Sequence, residues 1–153
     1  MYEEIAKVYG NRVRVRACGL CWEGENLLLV NHVLADKDLW APPGGGIEFG
    51  EAIEVALKRE FKEETGLNIL IEGFMFGCEF INVQLHAIEL FFECKRVSGQ
   101  LLKGEDPELQ IISDVRFLTP KEIRSLPQEN IHGILRKTTK KDELKKLRGF
   151  YTI

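Results

Sequence analysis

An α/β fold with a mixed sheet is what this sequence predicts, and three observations predict it. Runs of strand character stand both before and after one strongly periodic helical segment. That segment carries Ala52, Ile53, Ala56, Leu57 and Phe61 at helical spacing, with Thr65 and Gly66 as its stop. A capping signature places a second helix towards the end of the chain, so helices and a sheet must share one layered core. At 153 residues and 44% hydrophobic content the chain can bury that core without a second unit, so residues 1–153 are expected to form one domain.

In order, the first ten or so residues are expected to form a short helix or an arm. From Arg12 to Trp22, Val13, Val15 and Ala17 alternate with Arg14, Arg16 and Cys18, the pattern of a half-buried strand. A turn at Glu23–Asn26 leads into Leu27–Val33, a near-continuous apolar run and hence a more central strand. A polar loop through Asp36, Lys37 and Asp38 follows, and Leu39–Ala41 leads into Pro42, Pro43 and three glycines, Gly44 to Gly46.

Beyond the periodic helix, Asn68–Glu72 and Phe74–Val83 read as strands broken at Gly73, and Gln84–Val97 as a longer one in which Glu89 and Glu93 lie among apolar residues. Ser98 and Gly99 close a turn. A polar loop from Gln100 to Leu109 carries Glu105, Asp106 and Glu108, and Ile111–Leu118 forms a further strand. Thr119-Pro120-Lys121-Glu122 is a capping box with proline at the first helical position, which starts a helix running to about Leu126. A last amphipathic helix is expected over Lys140–Leu147, ended by Gly149.

The periodic helix also carries the chemistry. At about 100° per residue, Glu60, Glu63 and Glu64 fall within an arc of roughly 100° that overlaps the apolar stripe. Carboxylates on the buried side of a helix are costly unless positive charge sits among them, and a divalent cation meets that need. Ala52 and Ala56, one and two turns earlier, leave room for an ion and its water. Arg59, four residues before Glu63, can hold that carboxylate in place. The glycines ahead of the helix let the backbone approach a phosphate or a metal closely. Hard oxygen donors suit Mg²⁺, with Mn²⁺ as a substitute, rather than zinc.

Gly45, Glu51, Arg59, Glu60, Phe61, Glu63, Glu64, Gly66 and Leu67 fill every specified position of the pattern G-x5-E-x7-R-E-U-x-E-E-x-G-U, where U is bulky and apolar. On those residues the chain resembles the Nudix hydrolases, the MutT-like pyrophosphohydrolases that cleave nucleoside diphosphates linked to another moiety. The resemblance implies an α/β/α sandwich with the pattern as a loop-helix-loop. It implies that Glu60, Glu63 and Glu64 bind magnesium together with the backbone carbonyl of Gly45 or Gly44, that Glu51 assists the metal cluster or its waters, and that Arg59 orients Glu63. For the general base it points to the loop before the last strand, where Glu108 is the first choice, with Glu105 and Glu63 as competitors. The substrate expected is a nucleoside triphosphate or a nucleotide sugar. A non-catalytic nucleotide-sensing domain is the alternative; it usually goes with eroded glutamates or an attached DNA-binding segment, and neither is present here.

A net charge of −3 gives no basic footprint for long nucleic acid. The resemblance implies a small nucleotide as the partner, with the chain itself a monomer or homodimer. No run reaches the length of a membrane span and no signal peptide opens the chain, so no membrane partner and a cytoplasmic location are expected. Cys18 and Cys21 form a C-x-x-C, but three residues apart in a strand they point to opposite faces, and the four cysteines are expected to be packed thiols. His32, His86 and His132 are expected to be ordinary polar or packed residues. Trp40, Phe74, Phe76 and Phe80 are expected mainly in the core, although they could stack a base. Arg14 and Arg16 are candidates for phosphate contact or a wet strand face.

Overall fold

The computed structural model of the chain describes residues 2–34, 37–104 and 111–153. Helix α1 (Tyr2–Tyr9) precedes strands β1 (Arg12–Glu23), β2 (Asn26–Leu34), β3 (Lys37–Ala41) and β4 (Gly44–Gly46). Helix α2 (Ile53–Thr65) follows, then β5 (Leu67–Asn82), β6 (Leu85–Gly99) and β7 (Ile112–Leu118). The chain ends with α3 (Pro120–Ser125), two 3₁₀ turns (Gln128–Asn130 and Gly133–Arg136), α4 (Lys141–Leu144) and β8 (Phe150–Thr152). Among the described residues, no helix is long and apolar enough to cross a membrane.

The strands make a mixed sheet in the order β3-β2-β1-β6-β5-β8, with β4 paired to β1 and β7 to β2. Pairings β1–β6 and β5–β8 are parallel and the others antiparallel. Parallel neighbours need a crossover, and the long excursion between β1 and β6 carries α2 onto one face of the sheet. Strand alternation then splits the core in two. Ala17, Cys21, Leu28 and Val30 pack with Leu57 and Phe61 of α2. Cys18, Leu20, Leu27 and Leu29 face the other way, against Ile123, Ile134, Leu135 and Leu144 of the C-terminal segments. This is the α/β/α sandwich.

α2 stops where its sequence says it should. Gly66 takes a left-handed φ of 76° and its N–H returns to the Lys62 carbonyl. Thr119 caps α3 by accepting from the Glu122 N–H, as the capping box requires.

Several expectations change. Val13 and Val15 are exposed, because the apolar partners of their strand face begin only at Ala17, while Arg14 and Arg16 are half-buried on the opposite face. Lys37 and Asp38 belong to β3, paired with Leu34 and Val33, rather than to a loop. Gly73 does not break its strand; β5 absorbs it as one of three register shifts against β6. The final helix is a single turn, with Arg148 beyond it and β8 added to the sheet edge. Trp40 and Phe76 are buried as expected, Phe80 is half-buried, and Phe74 is 55% exposed, edge-on to Phe92. Cys18 and Cys21 lie in opposite halves of the core, and all four thiols are free and buried.

Candidate active site

The glycine strand β4 lies antiparallel to β1, with Gly46, Gly45 and Gly44 opposite Arg16, Ala17 and Cys18. It meets the side of α2 that carries the acids. Two glycines there are steric necessities. A Cβ on Gly44 would lie 2.3 Å from the Ala17 carbonyl oxygen, and one on Gly45 would lie 2.3 Å from Cδ of Glu60. The missing side chain at Gly45 is what lets the Glu60 carboxylate rest against the backbone.

Arg59 is the hub. Its Nε donates to Glu51 Oε2 and one terminal nitrogen to Glu51 Oε1, both at 2.8 Å. The same nitrogen reaches the Gly46 carbonyl at 3.2 Å, and the other donates to Glu60 Oε1 at 2.8 Å and to Glu63 Oε2 at 3.3 Å. One guanidinium therefore serves three carboxylates. Glu64 stands apart: buried at the back of the arc, it accepts from the Gly44 N–H at 2.8 Å, and His32 Nε2 lies 3.6 Å from its other oxygen.

The electrostatics follow. Arg59 holds Glu51 down to about 2, chiefly through the paired hydrogen bonds. Glu60 is pushed above the usual carboxylate range: burial is the main cause, Arg59 opposes it, and the nearby Glu63 adds to it. Glu51, Glu60 and Glu63 carry three negative charges around one positive one, so the site is short of positive charge.

Among the described residues, no three carboxylate, imidazole or thiol groups converge as a ready-made cation cage. The donor set nevertheless fits magnesium in kind. It is made of hard oxygens, with the bare Gly45 backbone giving Glu60 close approach, and Glu63 is 33% exposed with the longest of the Arg59 bonds. A separate cavity lies elsewhere, lined by Arg124, Arg136, Lys137 and Lys140 with Glu143 as its one acid, and four cationic side chains around one carboxylate disfavour a divalent ion there.

The structure thus brings together Glu51, Arg59, Glu60, Glu63 and Gly45, with Glu64 reached through Gly44. Glu105 and Glu108 lie outside the described residues. Sequence reasoning missed the part played by His32 beside Glu64. It also missed a buried set on the far face of β1, where Glu89 accepts from Arg16 at 2.5 Å and pairs with His132 at 2.7 Å. Half of the signal was present, since a carboxylate in an apolar strand needs a partner; which partner was not, because Arg16 lies 73 residues away in sequence.

The family model described as NUDIX domain matches residues 10–141. A nucleoside triphosphatase, NudI, of Escherichia coli is 56% identical over 104 residues, covering 56% of this chain and 74% of the relative. An ADP-ribose pyrophosphatase of Methanocaldococcus jannaschii is 35% identical over 72 residues, covering 46% of this chain but only 43% of that relative's length. Among solved structures, a NUDIX hydrolase from Nitrosomonas europaea superposes with a TM-score of 0.72 at 21% identity, covering 82% of this chain and 85% of its own.

Proposed function

Because the chain belongs to the NUDIX domain family, we propose that it is a magnesium-dependent hydrolase that cleaves the diphosphate linkage of a nucleoside diphosphate joined to another moiety. The substrate is a nucleoside triphosphate or a nucleotide sugar, the two classes suggested by the names of its relatives. Glu60, Glu63 and Glu64, with the backbone carbonyl of Gly45 or Gly44, hold Mg²⁺, for which Mn²⁺ can substitute. When bound, the ion neutralises charge on the diphosphate and makes its bound water a better nucleophile.

The chain's own residues do the rest. Arg59 keeps Glu60 and Glu63 side by side despite their mutual repulsion, and Glu51 in turn fixes Arg59 through a two-point fork. The Gly44 N–H holds Glu64 at the rear of the site. A carboxylate takes the proton from the attacking water as it adds to phosphorus and the anhydride P–O bond breaks. Glu108 is our first assignment for that base, with Glu105 and Glu63 as its competitors.

The observation that carries this reading is the single guanidinium of Arg59 shared by three carboxylates beside a glycine whose Cβ would collide with one of them. The test is a panel of nucleoside triphosphates and nucleotide sugars, incubated with the protein and Mg²⁺ and followed by chromatography for the nucleoside monophosphate common to both reactions. The expected result is monophosphate formation that chelation abolishes while the circular dichroism stays that of the folded chain. Undiminished hydrolysis in excess chelator, or no hydrolysis of either class, overturns the proposal.

A further inference from the structure

Residue Gly44 is gripped from both faces of the sheet. On the α2 face its N–H donates to Glu64 Oε1 at 2.8 Å; on the other face its carbonyl accepts from a terminal nitrogen of Arg16 at 3.4 Å. Arg16 is itself held. Its other terminal nitrogen donates to Glu89 Oε2 at 2.5 Å, and strand pairing fixes that contact, because Arg16 and Glu89 are register partners across the parallel β1–β6 pair. The second oxygen of Glu89 meets His132 Nε2 at 2.7 Å.

His132 can be assigned a tautomer from its partners. The Ile134 N–H donates to His132 Nδ1 at 3.2 Å, which requires a lone pair on that nitrogen, so the proton lies on Nε2 and is donated to Glu89. The hydrogen bonds therefore run in a line: Ile134 N–H to His132, His132 to Glu89, Arg16 to Glu89, Arg16 to the Gly44 carbonyl, and the Gly44 N–H to Glu64. The line starts in a 3₁₀ turn of the C-terminal layer and ends on α2, on the opposite side of the sheet.

We propose that Arg16, Glu89 and His132 are positioning residues: by holding the Gly44 carbonyl they restrain the two peptide planes that meet at Gly44, one carrying the backbone carbonyl that the cation uses and the other the N–H that holds the Glu64 carboxylate. This rests on the functional reading above, in which those oxygens are ligands. Each link supplies what the next one lacks. Pairing with β1 holds one edge of the glycine strand, but without side chains the strand has nothing of its own to hold the other edge, which must be held from outside. Arg59 does so at the Gly46 carbonyl, and Arg16 does so at Gly44. An arginine supported only by solvent would lose that geometry to side-chain freedom, and buried Glu89 restrains it. Glu89 in turn needs a second donor on its remaining oxygen, which His132 provides. The contact from Arg16 to Gly44 is the longest in the line and is the step a lysine could not reproduce with the same fork.

The test compares Arg16→Lys, Glu89→Gln, His132→Gln and His132→Ala with the parent chain. The first readout is the amide ¹H–¹⁵N shifts of Gly44 and Gly45 without added metal, and the second is Mn²⁺ affinity from water-proton relaxation. Arg16→Lys and Glu89→Gln should move both glycine amides and weaken Mn²⁺ binding by roughly 10-fold or more. KM for the nucleotide at saturating Mg²⁺ should change less than about 2-fold, since no substrate contact is removed. His132→Gln, which keeps an N–H donor, should restore much of what His132→Ala loses. Unmoved glycine amides and parental Mn²⁺ affinity in Arg16→Lys overturn the proposal, and so does a shift spread over the whole spectrum without a change in affinity. If Glu89→Gln does not fold, Arg16→Lys decides alone. Neither readout needs turnover, so a parent chain that hydrolyses no nucleotide would defeat the proposed function and leave this test intact.

Discussion

Arg59 grips Glu51 at two points, Nε to Oε2 and a terminal nitrogen to Oε1, each at 2.8 Å. This fork ties the loop ahead of α2 to the middle of the helix, and it leaves the second terminal nitrogen pointing between Glu60 and Glu63. The charge on Arg59 matters less than its shape, because a compact ammonium cannot make the fork and the second contact together.

Arg59→Lys should therefore lower turnover by roughly 10- to 100-fold, the range typical of residues that orient metal ligands. Thermal stability should change little, since most of these groups are partly exposed. Steady-state rates and a melting curve on the same preparation check this. A lysine variant with the parental rate would show that charge alone suffices and that the fork is incidental.

Gly45→Ala tests the close approach rather than the charge. The added methyl would sit 2.3 Å from Cδ of Glu60, so the carboxylate must move away from the backbone. The expected outcome is a rise of about 10-fold or more in the Mg²⁺ concentration for half-maximal rate, with the maximal rate partly recovered at high Mg²⁺. A magnesium titration of rate is the measurement, and an unchanged midpoint would mean that Glu60 is no ligand.

The acidic arc was legible because helical periodicity is a local property: Glu60, Glu63 and Glu64 share a face whatever the rest of the chain does. The glycine run ahead of the helix was legible for the same reason, but the second core face of β1 was not: Cys18 and Leu20 are buried on the side that carries Arg14 and Arg16, in a strand whose alternation reads as half-buried. The fork between Arg59 and Glu51 was not, since Glu51 precedes the helix and its direction depends on the turn at Glu48–Glu51. Arg16 and Glu89 are 73 residues apart and meet only because β1 and β6 are parallel neighbours, a pairing that no local pattern encodes. The exposure of Val13 and Val15 was hidden too, because alternation shows which residues share a face and not which face is covered. β8, three residues long, carries too few alternations to be read.

The base is separable by kinetics. If Glu108 takes the proton from water, Glu108→Gln should lower the maximal rate by roughly 100-fold while metal affinity and KM hold. Glu105→Gln should then leave the rate near parental. Loss of a ligand looks different: Glu63→Gln should recover part of its rate as Mg²⁺ is raised, because binding of the ion is what has been weakened. Near-parental rates for both loop variants across the titration would move the base to Glu63.

Glu89 links the buried line to pH. Burial pushes its carboxyl upward, but His132 and Arg16 outweigh burial and hold it at about 2, below the ordinary 4.5. A carboxylate whose folded value is depressed binds its proton more weakly in the native state than in the unfolded chain. Its contribution to stability is therefore complete above about 4.5 and is lost as pH falls from there to about 2. Glu89→Gln removes that charge and leaves Arg16 without its ionic partner, which should cost on the order of 3 kcal/mol at neutral pH. Urea unfolding of both proteins across an acid series checks the sign. The gap between them should be constant at neutral and mildly acid pH, then narrow steadily below about 4.5. A gap that keeps its full size near pH 2 would mean that Glu89 stabilises the fold by its shape and hydrogen bonds rather than by its charge, and the ionic account of Arg16 would fail with it.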